Sequence, residues 1–336
     1  MDPTRIYCDA TIPDPDIFIK EYVNKNIISI RDLQNQSSKS SILVSTFDVM
    51  SIIPKVKEKL IESIPDKDID PILSINPDPF IYKESFNLAS IDYHFSITKH
   101  VSGSFAPQMA RFQSYAIIGA KDISFFEYLQ YRNPYTFMYN LSLSLIEDLN
   151  NSIVVKERVY DLFNKDYKDY DFYIKNIKKV NCNGVDAVII ENYNSNSELI
   201  YQLLINLSIL KNEGDSIIKI NISNKNFSND ILRMLYVCFG DVYLFKSVML
   251  DIDDDNFYII CKKYNIMNSI EIIKLLKVML KKFNYGVNVL QLFSNKNEDI
   301  SKYTEYIENL IIEERNLKNA IYVPQKVKIY LNVDES

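Results

Sequence analysis

Apolar and polar positions alternate most legibly between Gly184 and Tyr264. Val185–Ile190 is a short apolar run, and Leu199–Leu210 carries apolar residues at helical spacing. Gly214-Asp215 reads as a turn into a second apolar run, 216–222. A helical pattern over Asn229–Cys238 follows, then the runs Val242–Phe245 and Phe257–Cys261 on either side of the acidic turn Asp251–Asn256. Strand, helix, strand, helix, strand, turn, strand predicts the second half of a doubly wound α/β domain, with the last two strands as an edge hairpin.

The first half is expected upstream. Tyr93–Thr98 reads as the first strand and Tyr115–Ile118 as the next. Helical spacing marks Phe125–Tyr131, Leu141–Leu149 and Val155–Phe163, and Ile174–Val180 reads as a strand approach. Ile17–Tyr22 is a short helix candidate. Pro65, Pro71, Pro77 and Pro79 exclude a long helix or central strand there. After Tyr264, helices are predicted over Ile270–Phe283 and Ile300–Tyr322, the latter amphipathic, and a final extended segment over Val323–Val333. The organisation predicted is an N-terminal extension or interface region (1–80), an α/β domain (81–264) and a C-terminal helical region (265–336).

Composition narrows this little. With 336 residues, 47% apolar and 24% charged, the chain can bury a sizeable core. No apolar run is long enough to span a membrane, and MDPTRIYCDA does not read as a signal peptide. Two histidines and four scattered cysteines (Cys8, Cys182, Cys238, Cys261) argue against a zinc site and fit a reducing cytoplasm. The net charge of -6 disfavours general polyanion binding. The exception is Lys262–Lys282, with six lysines against Glu271, a face for RNA, an acidic partner or solvent. The Tyr-, Asp- and Lys-rich stretch Tyr160–Tyr173 reads as polar surface with tyrosines turned inward rather than as a base-stacking platform.

Candidate chemistry centres on Lys219 inside the apolar run SIIKI. A buried ammonium is costly, so it must reach solvent, an acid or a cleft at the strand ends. Asp186, Glu191, Lys246 and Asp254 are the other charged residues of interest in this stretch.

The order of acid-led strand, helix, Gly-Asp turn, lysine-bearing strand, helix, VYLFK and acidic turn resembles the FtsJ-like (RrmJ-like) ribose 2'-O-methyltransferases. That resemblance implies a Rossmann-like methyltransferase sheet and a Lys-Asp-Lys-Glu tetrad. Lys219 falls on its second, catalytic lysine, and Lys246 on the lysine that commonly follows the next strand. Glu191 falls on the tetrad's aspartate, with Asp186 the other acid available, and Asn256 stands at the glutamate. The glycine-poor loop Val101–Pro107, with Gly103 and Ser104, falls on the cofactor loop, and Asp122 is placed to hold a ribose hydroxyl.

From about Ile153 to Tyr322 the chain is also similar to the small regulatory subunit of the poxvirus mRNA capping enzyme. The similarity is carried by DAVIIE, IIKI, ILRMLYVCF, DVYLFK and the tyrosine-bearing helix after the Asn-rich turn Asn295–Asp299. It implies a non-catalytic, stimulatory subunit that forms a heterodimer with a large catalytic subunit and activates its guanine-N7 methyltransferase domain. A setting in the host cytoplasm and virion goes with it, with no cofactor of the chain's own. The alternative is an active cap 2'-O-methyltransferase using S-adenosylmethionine, which could double as a poly(A) polymerase processivity subunit.

Overall fold

The computed structural model describes residues 4–7, 21–22, 84–98, 113–143, 154–162, 166–221, 224–247, 255–282, 286, 288–293, 300–309 and 311–312. The chain divides into two units, Met1–Tyr22 with Tyr82–Ser336 and Val23–Ile81, and every described residue belongs to the first. In chain order its elements are β1 (Thr4–Arg5), β2 (Glu21–Tyr22), α1 (Ser85–Phe95), β3 (Ser114–Ile118), α2 (Ser124–Arg132), β4 (Phe137–Leu141) and β5 (Val159–Asp161). Then come α3 (Tyr170–Val180), β6 (Val185–Ile190), α4 (Asn196–Ile209), β7 (Leu210–Asn221), α5 (Lys225–Cys238), β8 (Phe239–Phe245), β9 (Asn256–Tyr264), α6 (Ile266–Leu280) and β10 (Asn288–Val289). A further helix runs over 300–309.

The main sheet has the order β1-β8-β9-β7-β6-β3-β4-β5. Strands β5, β4, β3, β6 and β7 are parallel, whereas β9 is antiparallel to both β7 and β8. Parallel neighbours need long crossovers, and helices on both faces supply them. Alternation along β3 sends Ala116 and Ile118 into the core shared with α4, and turns Tyr115 and Ile117 to the opposite face. The α4 helix starts on an N-cap, in which the Ser195 hydroxyl accepts from the Glu198 N–H at 3.2 Å. It is buried almost along its whole length and packs against α3 and α6.

The expected α/β class is therefore observed, but several elements are re-read. Tyr93–Thr98 is not the first strand. Tyr93 to Phe95 end α1, and Ser96 stops the helix in the left-handed region at φ 50°. The backbone ladder begins at Ser114–Ile118, so the strand expected second is the first of the parallel set. Leu141 ends a strand, Val159–Asp161 is the sheet's edge strand rather than helix, and Ile174–Val180 is the end of α3. Short aromatic-rich runs such as Phe137–Leu141 fit either period, and only pairing decides between them.

Gly214-Asp215 is not a turn between elements but an irregularity inside the twelve-residue β7. There the register against β6 shifts and Glu213 takes φ 61°. The β8–β9 pair is antiparallel and lies toward one edge of the sheet as expected, with β9 as its inner strand, between β7 and β8. β1 then covers the outer edge of β8, with Ile6 buried and its N–H donating to the Val242 carbonyl at 2.8 Å. Glu21–Tyr22 is extended, paired with β10, where a helix was expected. The expectations for the prolines between 65 and 79, the tail of the Ile300–Tyr322 helix and Val323–Val333 lie outside the described residues.

Candidate functional site

Parallel strands put all their carboxyl ends on one edge, where the turns that follow them converge. In this sheet that edge is made by Gly119–Asp122 after β3, Glu191–Tyr193 after β6, the end of β7 around Lys219 and Asn221, and Asn256 at the start of β9. Each is held by local bonding. The ladder continues past the strands, with Gly119 N–H donating to Leu141 O at 3.1 Å and Glu191 N–H to Ile118 O at 3.0 Å. Asp122 accepts from the Ser124 N–H at 2.8 Å, closing the first turn of α2. Tyr193 reaches across to the end of β7, where its hydroxyl accepts from the Asn221 N–H at 3.1 Å.

Glu191 is the electrostatic centre. It is 7% exposed, and its Oε2 has no hydrogen-bond partner among the described residues. Burial, reinforced by the Asp122 carboxylate, pushes its pKa from the ordinary 4.5 up to about 8. Lys219, together with the backbone N–H and the ammonium of Lys121, pulls the other way but does not prevail. A shift in that direction favours the protonated carboxylic acid, which can donate a hydrogen bond.

Lys219 is half-buried on β7, in register with Tyr258 of β9. Two residues on, Asn221 pairs with Asn256, and its side-chain amide donates to the Asn256 Oδ1 at 3.4 Å. The Lys246 ammonium, nearly fully buried, donates to the Asn256 carbonyl at 3.0 Å. Neutral amides therefore stand where the resemblance implied a glutamate beside Lys219.

Of the residues singled out by sequence, Glu191, Lys219 and Asp122 come together at this edge, and Lys246 joins them through Asn256. Asp186 does not. It sits at the opposite, amino-terminal end of β6, accepting from the Ser114 N–H at 2.9 Å and paired with Lys211. One strand carries both acids, and residues five apart lie about 17 Å from each other. As an alternative acid for Lys219, Asp186 is therefore ruled out by position.

Gly103, Ser104 and Asp254 lie outside the described residues. The turn that follows the first parallel strand is Gly119–Asp122, so that turn, rather than Val101–Pro107, occupies the place of a cofactor loop. Asp122 accordingly lies in the first turn of the sheet, not at the end of a second strand. Gly119 has φ 71°, and a Cβ there would run into the Asn192 carbonyl oxygen, which already accepts from the Gln202 amide at 3.0 Å. Lys121, Asn192 and Tyr193 were not singled out by sequence. The one available signal was their adjacency to Asp122 and Glu191.

Half of the basic stretch is matched by acids in the fold. Lys262 pairs with Asp215 at 2.6 Å and also donates to Phe95 O, Lys263 pairs with Asp241 at 2.8 Å, and Lys274 with Glu271 at 2.7 Å. Lys277, Lys281 and Lys282 remain exposed on or just after α6. In Tyr160–Tyr173, Tyr167 and Tyr173 are buried as expected, while Tyr160 is 45% exposed. Among the described residues no cluster of His, Cys, Asp and Glu could hold a metal, and no helix is long and apolar enough to cross a membrane.

The strand order, with one antiparallel strand inserted next to the outermost member of the set, defines a Rossmann-like methyltransferase fold. No family model and no curated protein matches the sequence. Among solved structures, the chain is similar to the MycE methyltransferase of the mycinamycin biosynthetic pathway, solved with Mg, SAH and mycinamycin VI. Identity there is 11%, the TM-score is 0.36, and the match covers 46% of each chain. It is also similar to the Methanococcus jannaschii fibrillarin pre-rRNA processing protein at 11% identity and TM-score 0.37, covering 46% of this chain and 68% of that one. Human methyltransferase-like protein 13, in complex with SAH, matches at 13% identity and TM-score 0.34, covering 52% and 84%. The chain thus spans less than half of the MycE enzyme's length.

Proposed function

We propose that this chain is a methyltransferase-fold subunit that acts without transferring methyl groups itself, stimulating a separate guanine-N7 methyltransferase in an mRNA-capping complex. The observation that carries the first part is the state of Glu191. Next to Lys219 the fold supplies a buried acid held neutral below about pH 8, and amides at Asn221 and Asn256. Deprotonating a ribose hydroxyl needs a base whose charge is balanced through the transition state, and a neutral acid with two amides supplies no such counter-charge. The single glycine of the turn after β3 is spent on close packing with Asn192, and Ala120, Lys121 and Asp122 follow it. The capping-complex part rests on the sequence resemblance to the poxviral regulatory subunit. The outer face of α6, with Met267, Ile270 and Val278 exposed among Lys274, Lys277 and Lys281, suits an acidic, partly apolar partner surface.

The test is reconstitution with a poxviral large capping subunit. The full chain is expected to raise guanine-N7 methylation, and Lys219→Ala to stimulate as well as the unaltered chain. Methyl transfer to capped RNA by the purified chain alone, lost in Lys219→Ala, would replace this reading with the cap 2'-O-methyltransferase.

A further inference from the structure

At the amino-terminal end of the same sheet, far from Glu191, an open hollow of ≈ 500 Å³ lies between the end of α3 and the starts of β3, β4 and β6. Its apolar wall is aromatic. Phe137 and Tyr139 alternate onto one face of β4, and Tyr160 of the edge strand packs beside both rings, at 6.3 Å and 5.8 Å between centroids. Tyr160 leaves nearly half its surface to solvent.

The rest of the lining is polar and of mixed sense. Tyr139 is 2% exposed, and burial raises the pKa of its phenol, which therefore keeps its proton. The Gln113 carbonyl oxygen accepts from Tyr115, which leaves its NH2 as a donor. Asn181 donates to Ser114 Oγ at 3.0 Å, which leaves its carbonyl oxygen as an acceptor. Asn183 is exposed on the turn before β6. Lys211, held by Asp186, is the lining's cation.

We propose that this hollow is a nucleobase-binding site. A flat heteroaromatic ring is the ligand class that uses both halves of the lining. Its face stacks on aromatic side chains, and its edge carries adjacent donors and acceptors that amides and a phenol can match. The volume suits a single nucleotide. The carbonyl end of α3 opposes an anion at this place, so recognition rests on the base, with Lys211 meeting a phosphate only at the rim. This site is independent of Lys219 and of the regulatory role proposed above.

Calorimetric titration of the full chain with AMP, GMP, CMP, UMP, ribose 5-phosphate and a tetranucleotide RNA tests it. At least one mononucleotide is expected to bind saturably, with ribose 5-phosphate at least tenfold weaker. Val180→Trp places a large ring into the hollow from a half-exposed position and is expected to weaken binding at least tenfold. Asn183→Ala, on an exposed turn, should weaken it several-fold, and Lys274→Ala on α6 should leave it unchanged. A tetranucleotide at least tenfold tighter than the best mononucleotide assigns the base to an RNA strand, and equal affinities assign it to a free nucleotide. Absence of saturable binding by every nucleotide overturns the proposal. So does ribose 5-phosphate binding as tightly as the nucleotides, or binding that neither Val180→Trp nor Asn183→Ala alters.

Discussion

Gly119 and Asn192 meet backbone to backbone at the carboxyl edge of the sheet, and the Asn192 carbonyl occupies the space that any side chain on residue 119 would need. The two residues follow neighbouring parallel strands, β3 and β6, so their approach is fixed by the ladder beneath them. Gly119→Ala therefore meets both a steric clash and a left-handed backbone at φ 71°. The expected cost is about 3 kcal/mol, summed from roughly 1–2 kcal/mol for the conformation and the rest for displacing Asn192. Chemical denaturation reads it as a lower midpoint at an unchanged slope. A loss under about 1 kcal/mol would mean that the Glu191–Tyr193 turn yields freely.

Glu191 makes stability fall as pH rises. Its pKa in the folded chain is raised to about 8 from an ordinary 4.5. Between those values the folded chain holds a proton that the unfolded chain has released, so unfolding is favoured progressively toward alkaline pH. The full contribution is present below about pH 4.5 and is gone above about pH 8, with a limiting slope near 1.4 kcal/mol per pH unit. Glu191→Gln mimics the neutral acid. It should flatten the stability profile between pH 5 and 8 and leave the variant the more stable of the two at pH 8. A profile identical to that of the unaltered chain would show Glu191 to be ionised.

The β1 strand should matter more than its two residues suggest. Ile6 is buried behind it, Arg5 pairs with Asp241 while its guanidinium lies over the Tyr7 ring, and Tyr7 and Tyr303 exchange hydrogen bonds of 3.0 Å. Ile6→Ala is expected to destabilise by about 2–4 kcal/mol through lost burial and the cavity left behind. Releasing the strand also uncovers the β8 edge, a template for pairing with another chain. Removal of residues 1–7 should therefore show concentration-dependent association by light scattering, which Ile6→Ala shows only weakly.

Asp230 ties the C-terminal region to α5. It is fully buried, and its Oδ2 accepts from the N–H groups of Leu292 and Phe293 at 2.6 Å and 3.2 Å. Asp230→Ala leaves those donors buried without that acceptor, at an expected cost of about 2–4 kcal/mol. Hydrogen exchange should localise the loss to residues 288–293. Uniform loss across the sheet would contradict this placement.

Legibility in the sequence followed length and contrast of pattern. Val185–Ile190, the helix after it and the strands flanking Asp251–Asn256 were read correctly, because long periodic runs leave one way to bury their apolar face. Tyr93–Thr98 misled, because YHFSIT alternates like a strand although His94 and Phe95 close a helix against Tyr243 and Phe245. That misreading set the expected first parallel strand before Gly103 rather than before Gly119. The convergence of Glu191 and Lys219 was legible once both were placed at strand ends. The neutral state of Glu191 was not, because it depends on what covers it.

By itself the sequence determined which segments bury an apolar face, that an α/β sheet results, and that a lysine stands inside the apolar run SIIKI. Those are properties of neighbours along the chain. Only the tertiary structure decided that β9 enters between β7 and β8, that Asp186 and Glu191 part to opposite ends of one strand, and that Lys262, Lys263 and Lys274 are matched by acids. Strand order and desolvation arise from contacts between residues far apart in sequence, and a periodic pattern carries no record of its partner.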